Sequence, residues 1–313
     1  MSAVDHASQL AALPVGQPLI MGVLNTTPDS FSDGGQWGTV DRAVAQAERM
    51  ISEGAHIIDV GGESSRPGSR PVERAEELER VLPVIERLAG RCVISIDTAK
   101  ADVAEAALTK GASIVNDITA SLEDVAGSHS AGWIAMHMQG EPRTMQHNPT
   151  YDDVVREVAE SLDEYRMRGE RAGVEHLWVD PGFGFGKTTE HNLALLRSLA
   201  LLRSLALLRS LALLRSDSQL QTQNEVPLLI GVSRKRFIGE IHQTADSEQN
   251  ATSGSAKSAE GGDSGALVNA TDRIEGSVMA AVWSWANSAN MVRTHDVSVT
   301  ALAATFLQRP NGK

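Results

Sequence analysis

Several features that would each define a class of protein are scarce or missing in this sequence. Cys92 is the single cysteine among 313 residues, which excludes a disulfide framework and a cysteine-rich zinc site. The net charge of −12 argues against nucleic-acid binding, because phosphate contacts need clustered lysine and arginine. The N-terminal segment has no basic stretch and carries Asp5, so we expect no signal peptide. Outside a repeat described below, no apolar run is long enough to cross a bilayer, and we therefore expect a soluble, cytoplasmic protein.

Short β-branched runs alternate with amphipathic helical segments along the chain. We predict strands at 19–25, 55–62, 92–98, 112–118, 132–138, 176–182, 227–233 and 290–296. Strands that are apolar throughout and alternate with helices indicate a parallel sheet covered on both faces. Eight such units predict an α/β fold, a (β/α)8 TIM barrel formed by residues 1–313 as a single domain. The alternative is a doubly wound open sheet, but it needs a glycine fingerprint after the first strand, and GVLNTTPDS is not one.

Polar residues lie at or just past the C-terminal ends of these strands. They are Asn25, Asp97, Asn116, His137, Asp180, Lys235, Arg293 and His295. A single Asp or Asn in such a place can be an ordinary helix cap or turn residue. In a barrel, however, all of these strand ends meet at one rim, where the connecting loops build the active site. The set as a whole therefore predicts a site.

The residue types at this rim suit a heterocycle that carries a diphosphate. A buried carboxylate such as Asp180 or Asp97 can accept two parallel hydrogen bonds from the edge of a 2-amino-4-oxopyrimidine ring. Asn116 can both donate and accept, so it can bind adjacent ring positions. Arg293 and His295 suit phosphate oxygens. The residues alone thus predict an enzyme acting on a phosphorylated small molecule and do not name the substrate.

Five motifs make the chain resemble a known family. They are MGVLNTTPDSFSDGG at 21–35, IIDVGGESSRPGS at 57–69, WVDPGFGFGK at 178–187, GVSRKRFIGE at 231–240 and MVRTHDV at 291–297. Together they closely resemble the dihydropteroate synthase family, pterin-binding barrels of folate biosynthesis that sulfonamides inhibit. The resemblance implies a transferase that joins 4-aminobenzoate to (7,8-dihydropterin-6-yl)methyl diphosphate, giving 7,8-dihydropteroate and diphosphate. It also implies a homodimer.

The resemblance further implies a role for each matching residue. Asn25 would ligate Mg²⁺ beside the diphosphate, and Asp33 of the first loop would close over the site. The pterin would be held by Asp97, Asn116, Asp180 and Lys235. The diphosphate would be bound by Arg66, Arg293 and His295. The 4-aminobenzoate pocket would be shaped by Ser65, Pro67, Phe185 and Lys235, with Ser65 standing where the family often has Thr.

Two other functions stay open at this point. A related pterin-binding barrel moves a methyl group from a methylated folate to a corrinoid, but it has no need of the diphosphate-binding motifs. A non-catalytic paralogue that binds pterin is the second alternative, and the intact set of candidate catalytic residues counts against it. Among the remaining residues we expect Lys187 to be a solvated loop charge, His191 a surface or capping residue and Phe183 a packing residue.

Two segments do not fit the barrel pattern. The hexapeptide LALLRS occurs four times in succession at 193–216. Three surplus copies add eighteen residues, and at ~100° per residue these make about five whole turns, so a helix extended in this way keeps its rotational phase. We predict a repeat-extended helix that arose by duplication. The segment 242–272 is rich in Ser, Gly, Ala and Asp, and it predicts a disordered loop.

Overall fold

The computed structural model describes residues 5–27, 35–64, 69–203, 226–241, 243 and 273–307. Within this part of the chain the predicted strands are confirmed: β1 (Leu19–Asn25), β2 (Ile57–Gly61), β3 (Val93–Asp97), β4 (Ile114–Asp117), β5 (Gly132–Met136), β6 (Leu177–Asp180), β7 (Leu229–Ile230) and β8 (Met291–Thr294). The helices are α1 (His6–Ala11), α2 (Gly35–Ser52), α3 (Arg74–Leu88), α4 (Ala101–Lys110), α5 (Glu123–Ser128), α6 (Val154–Arg171), α7 (Thr189–Arg197), α8 (Ile274–Ala286) and α9 (Val297–Thr305).

The strands form one parallel sheet that curls into a barrel. Their order is β6-β5-β4-β3-β2-β1-β8-β7. The two ends of this sheet meet where Val179 pairs with Leu228, and the Val179 N–H donates to the Pro227 carbonyl at 3.0 Å. The TIM-barrel prediction is therefore confirmed, with its helices outside the strands. No helix in the described ranges is long and apolar enough to span a membrane.

The lower part of the barrel interior is an apolar core to which every strand contributes. Its buried side chains are Leu10, Leu19, Met21, Ile57, Val93, Ile114, Ile134, Trp178, Leu229 and Met291. Because successive side chains of a strand point to opposite faces, the residue two positions further along also points inward. On β2 that residue is Asp59, and on β8 it is Arg293. The interior consequently changes from apolar to polar toward the C-terminal rim.

The outward faces of the strands pack against the surrounding helices. Alternate residues such as Ile58 and Val60 on β2 join a large cluster that also holds Val81 and Ile85 of α3. Burying each such side chain contributes about 1.5–3 kcal/mol. The strands are thus apolar on both faces in their lower halves, which is the continuous pattern expected of a parallel sheet.

The repeat is described only over its first part. After α7 the chain makes a turn at Ser198 and continues as helix over 199–203. Leu199 and Leu202, from the second copy of the hexapeptide, are fully buried beside Leu195 of the first copy. The sequence suggested that the second copy is surplus. The structure corrects this, because two leucines of the second copy complete the packing around β6 and β7. The rest of the repeat and the predicted disordered loop at 242–272, except Gln243, lie outside the described residues.

Candidate active site

Hydrogen-bonding register brings the predicted residues of the first four strands into one row. Asn25 pairs with Gly61, Gly61 with Asp97, and Asp97 with Asn116. The row runs along the C-terminal rim, as the sequence predicts. Gly61 lies beside the Asp97 side chain, since a Cβ at this position would lie 3.5 Å from the Asp97 Cβ and 3.7 Å from its Oδ2. A Cβ there would make only ordinary van der Waals contact with the Asp97 side chain.

A partly buried arginine, Arg293, joins two carboxylates just below this row. The Arg293 Nε donates to Asp59 Oδ2 at 2.6 Å, and its Nη2 donates to Asp97 Oδ2 at the same distance. Asn116 Nδ2 also donates to Asp59 Oδ2, at 3.1 Å. Asp59 is completely buried, and its Oδ1 has no hydrogen-bond partner among the described residues. The polar layer therefore contains a buried acceptor available to a ligand or to water.

Burial and neighbouring charges shift the pKa values of Asp97 and Arg293 in this cluster. Burial raises the pKa of Asp97 above its ordinary value, the Arg293 guanidinium opposes this shift, and the Asp59 carboxylate adds to it. Burial disfavours the charged form of Arg293, yet Asp59 and Asp97 raise its pKa further above its ordinary range. Arg293 consequently stays charged and forms ion pairs with both Asp59 and Asp97.

Asp180 ends β6 on the opposite side of the rim. Its Oδ1 accepts from the Gly182 N–H at 2.8 Å, which orients the carboxylate. Burial raises the pKa of Asp180, and the Gly182 N–H together with the charges of Lys235 and Arg293 opposes the shift. A glycine, Gly231, faces this carboxylate, since a Cβ there would lie 3.5 Å from Asp180 Oδ2.

Lys235 and Phe185 form a second wall of the site. The Lys235 Nζ lies 4.1 Å from the centroid of the Phe185 ring, within the range of a cation–π contact. Gly184 lets the lysine stem pass, because a Cβ there would lie 3.2 Å from Lys235 Cδ. Phe183 instead packs in the core around β6 and β7, so its predicted packing role is confirmed.

His295 follows β8 and is held by Ser233. The Ser233 hydroxyl lies 3.2 Å from His295 Nδ1 and accepts from the His295 N–H at 3.1 Å. Burial, helped by the Arg293 and Arg234 cations, lowers the pKa of His295 to about 3, so the ring is neutral near pH 7. Arg234 has a positive φ of 57° and pairs with Asp296, which fixes the turn that carries Lys235.

Lys187 departs most from its predicted place. It is only 3% exposed rather than solvated, and its Nζ lies 2.9 Å from His137 Nδ1. The same Nζ donates to the carbonyls of Gly182 and Phe185, each at 3.0 Å. The prediction was wrong because the loop folds back over its own lysine. His191 does cap α7, as predicted, with Thr188 as the capping partner.

Four predicted residues lie outside the described part of the chain, namely Asp33, Ser65, Arg66 and Pro67. In contrast, the structure adds two residues that the sequence did not single out as functional. The sequence does contain a signal for Asp59, because it is a charged residue in an otherwise apolar strand. It also lies two positions before Gly61, so both residues point to the same face of the sheet. For Lys187 the sequence holds no comparable signal, since a lysine after a glycine-rich loop is ordinarily exposed.

Comparison with known proteins agrees with this geometry. A family model described as pterin binding enzyme matches residues 21–295. The dihydropteroate synthase of Escherichia coli K12 is 40% identical over 309 residues, covering 96% of this chain and 94% of that protein.

Two solved structures give the same result. The Yersinia pestis dihydropteroate synthase in a sulfonamide drug complex superposes with a TM-score of 0.76 at 36% identity, covering 95% of each chain. The Xanthomonas albilineans dihydropteroate synthase with 4-aminobenzoic acid gives 0.77 at 37% identity, covering 98% of this chain and 97% of that one. With a barrel whose polar rim carries the family's motif residues, this chain belongs to the dihydropteroate synthase family of pterin-binding enzymes.

Proposed function

We propose that this chain is a dihydropteroate synthase, a transferase that joins 4-aminobenzoate to (7,8-dihydropterin-6-yl)methyl diphosphate. The observation that carries the proposal is the polar layer at the rim, where Asp97, Asn116 and Asp180 come together above an apolar barrel core. Hydrogen-bonding groups of both kinds on a rigid rim suit a flat ring with a mixed donor and acceptor edge. The likeness to structures that hold 4-aminobenzoic acid supports the second substrate.

The pterin is bound by its amino-pyrimidine edge. Asp180 is held in place by the Gly182 N–H and accepts from the ring N–H and amino group. Asn116 is buried and oriented by Asp59, so it meets the ring with a fixed amide. Asp97 is oriented by Arg293 and completes the recognition from the other side. Preorganised polar groups of this kind bind without reorganising when the substrate enters.

The 4-aminobenzoate occupies the wall formed by Phe185 and Lys235. The phenyl ring of Phe185 offers an apolar surface to the aromatic substrate, and the Lys235 ammonium attracts its carboxylate. Ser65 and Pro67 complete this pocket by the family resemblance.

The diphosphate lies toward His295 and the end of β1. Arg293 uses its Nε and one Nη2 hydrogen for the two carboxylates, and a guanidinium has five N–H donors, so others remain for phosphate oxygens. The neutral ring of His295, with Nδ1 beside the Ser233 hydroxyl, can donate from Nε2. Arg66 adds a further cation and Asp33 closes the first loop, both by the family resemblance.

A magnesium ion fits the donor chemistry near Asn25. The described residues contain no group of three or more His, Cys, Asp or Glu side chains arranged for a metal ion. Asn25 offers one hard oxygen at the rim, and Mg²⁺ commonly takes one or two protein ligands together with water and substrate phosphates. When bound, the ion supplies charge neutralisation to the departing diphosphate.

The reaction needs a stabilised leaving group more than a strong base. The amine nitrogen of 4-aminobenzoate forms a bond to the pterin methylene carbon, the C–O bond to diphosphate breaks, and the nitrogen then loses one proton. Arg293, His295 and Lys235 place donors and positive charge around the site in which negative charge grows on the leaving oxygens. The electron-rich dihydropterin can delocalise positive charge on the methylene carbon, which permits an SN1-like path.

A steady-state assay on the purified protein tests this function against its two rivals. We expect dihydropteroate to form when both substrates and Mg²⁺ are present. Binding of the pterin diphosphate without turnover would indicate a non-catalytic paralogue. Methyl transfer from a methylated folate to a corrinoid, with no use of 4-aminobenzoate, would indicate the methyltransferase.

We also propose that the protein is a cytoplasmic homodimer that associates through α8 and α9. Met279 and Trp283 of α8 are exposed, and so are Leu302 of α9 and Phe306 just after it, with between 49% and 83% of each residue accessible. Large exposed apolar side chains on adjacent helices are typical of an interface. Light scattering should give a dimer mass, and Leu302→Lys should shift it toward the monomer. The control Val15→Lys, at an exposed apolar residue between α1 and β1, should leave the mass unchanged.

A further inference from the structure

The loop between β6 and α7 is pressed directly onto the backbone at the end of β5. Gly182, Gly184 and Gly186 all have positive φ, of 69°, 76° and 61°. A Cβ at Gly182 would lie 1.8 Å from the His137 carbonyl oxygen, and one at Gly186 would lie 2.3 Å from that of Gln139. Only glycine combines this conformation with such close approach. The loop therefore has one tightly defined position.

Side chains bind the carbonyl groups of this loop one after another. Lys187 Nζ donates to the Gly182 and Phe185 carbonyls, each at 3.0 Å. Gln146 Nε2 donates to the Gly184 carbonyl at 2.5 Å, and the Tyr151 hydroxyl donates to the Gly186 carbonyl at 3.0 Å. The loop is thus held from inside by Lys187 and from outside by residues that precede α6.

The surroundings of Lys187 match an ammonium group. Three acceptors lie within 3.0 Å of Nζ, namely His137 Nδ1 and the carbonyls of Gly182 and Phe185. An ammonium has three N–H donors, whereas a neutral amine has two and would leave one acceptor unpaired. Burial lowers the pKa of Lys187 to about 7, and the charge of Asp180 opposes this shift. His137 is neutral near pH 7, since burial and Lys187 lower its pKa to about 3, and it can accept the bond.

The held loop carries the ring that faces Lys235. Phe185 lies between Gly184 and Gly186, both with positive φ, so the backbone on either side leaves the ring free to move unless the Phe185 carbonyl is restrained. Lys187 supplies that restraint, and Phe185 in turn lies 4.1 Å below the Lys235 Nζ. A loop freed from Lys187 would let the Phe185 ring leave this contact.

We propose that Lys187, supported by Tyr151, is a positioning residue that fixes Phe185 beside Lys235 and so sets the affinity for the aromatic amine substrate. The inference rests on the proposed function, because it takes 4-aminobenzoate as the molecule bound at Phe185 and Lys235. Lys187 itself touches neither substrate. A residue with this role affects the two substrates unequally, whereas a residue that only stabilises the fold does not.

The test compares variants in steady-state kinetics with each substrate varied in turn. Lys187→Met keeps the length and removes the donors, and we expect the KM for 4-aminobenzoate to rise about tenfold, with a rise of less than about threefold for the pterin diphosphate. Tyr151→Phe removes a single hydrogen bond to the same loop and should raise the KM for 4-aminobenzoate about threefold. Lys110→Met removes an exposed lysine of α4 and should change neither constant.

Phe185→Ala separates failure of this inference from failure of the proposed site. If Phe185→Ala raises the KM for 4-aminobenzoate while folded Lys187→Met leaves it unchanged, Lys187 is not a positioning residue. The same conclusion follows if Lys187→Met raises both KM values equally. If Lys187→Met does not fold, Tyr151→Phe decides, and an unchanged KM overturns the inference. If Phe185→Ala leaves this KM unchanged, the assignment of 4-aminobenzoate to this wall is wrong, and the inference falls with it.

Discussion

Removal of Arg293 should destabilise the protein by an amount that depends on pH. The guanidinium lies 2.6 Å from both Asp59 and Asp97, and it is the cation that these two buried carboxylates share. One unit-charge pair at ~4 Å contributes about 4 kcal/mol at an effective dielectric constant of 20. Breaking a buried ion pair by removing one partner costs about 3–5 kcal/mol. We therefore expect Arg293→Met to lower the free energy of unfolding by about 3–5 kcal/mol at pH 8.

The sign of the pH dependence follows from the carboxylates. Burial already raises the pKa of Asp97 to about 7, with Arg293 opposing the shift, so loss of Arg293 raises it further. A carboxyl group whose pKa is raised by folding contributes stability below that pKa and loses it as pH rises. The deficit of the variant should thus grow as the pH rises above about 7, where Asp97 ionises in the parent protein but stays protonated in the variant, by up to about 1.4 kcal/mol per pH unit, and it should change little below pH 7.

Urea denaturation at several pH values measures this effect, and Arg87→Met provides the matched control. Arg87 pairs with Asp41 on the surface, where both side chains are at least half exposed, so its loss should cost about 0–1 kcal/mol at any pH. A deficit for Arg293→Met that is constant with pH, or no larger than that of Arg87→Met, would refute the account of Arg293 as the shared counter-ion.

Three further predictions concern the reaction and the repeat. Asp180→Asn should weaken binding of the pterin diphosphate about tenfold or more in calorimetry, because one acceptor oxygen becomes a donor, and unchanged binding would place the pterin edge elsewhere. Turnover should stop in excess chelator, and sulfonamides should compete with 4-aminobenzoate; full activity without Mg²⁺ would exclude the role of Asn25. Deleting Leu199–Ser216 should leave kcat and KM nearly unchanged but lower the melting temperature, because Leu199 and Leu202 are buried. An unchanged melting temperature in this deletion would contradict the packing role of these two leucines.

The strands and the side of the barrel that carries the site could be predicted from the sequence. β1 was predicted at its observed bounds, and the other strands differ from the prediction by a few residues at their ends. Local pattern suffices here, because an apolar run of strand length between helices has few other solutions in a parallel sheet. The same pattern placed Asn25, Asp97, Asn116 and Asp180 at one rim, since each follows its strand in the same direction.

The pairing of charges could not be predicted in this way. Asp59 and Arg293 are 234 residues apart, and they meet because β1, which carries neither, pairs with both β2 and β8. The connecting segments between the strands decide which strands become neighbours in the barrel, and no local sequence pattern specifies this arrangement.

The burial of Lys187 is likewise a property of the tertiary structure alone. The glycines before it allow many loop conformations, and a lysine after such a loop is exposed in most of them. Here the end of β5 brings the His137 ring and the loop brings two carbonyl groups to one point, so three acceptors surround the ammonium. The sequence by itself determined where the strands and their polar ends lie. The packing of β5 against the β6–α7 loop decided that the charge of Lys187 is internal, because acceptors from separate parts of the chain had to converge to compensate for its lost hydration.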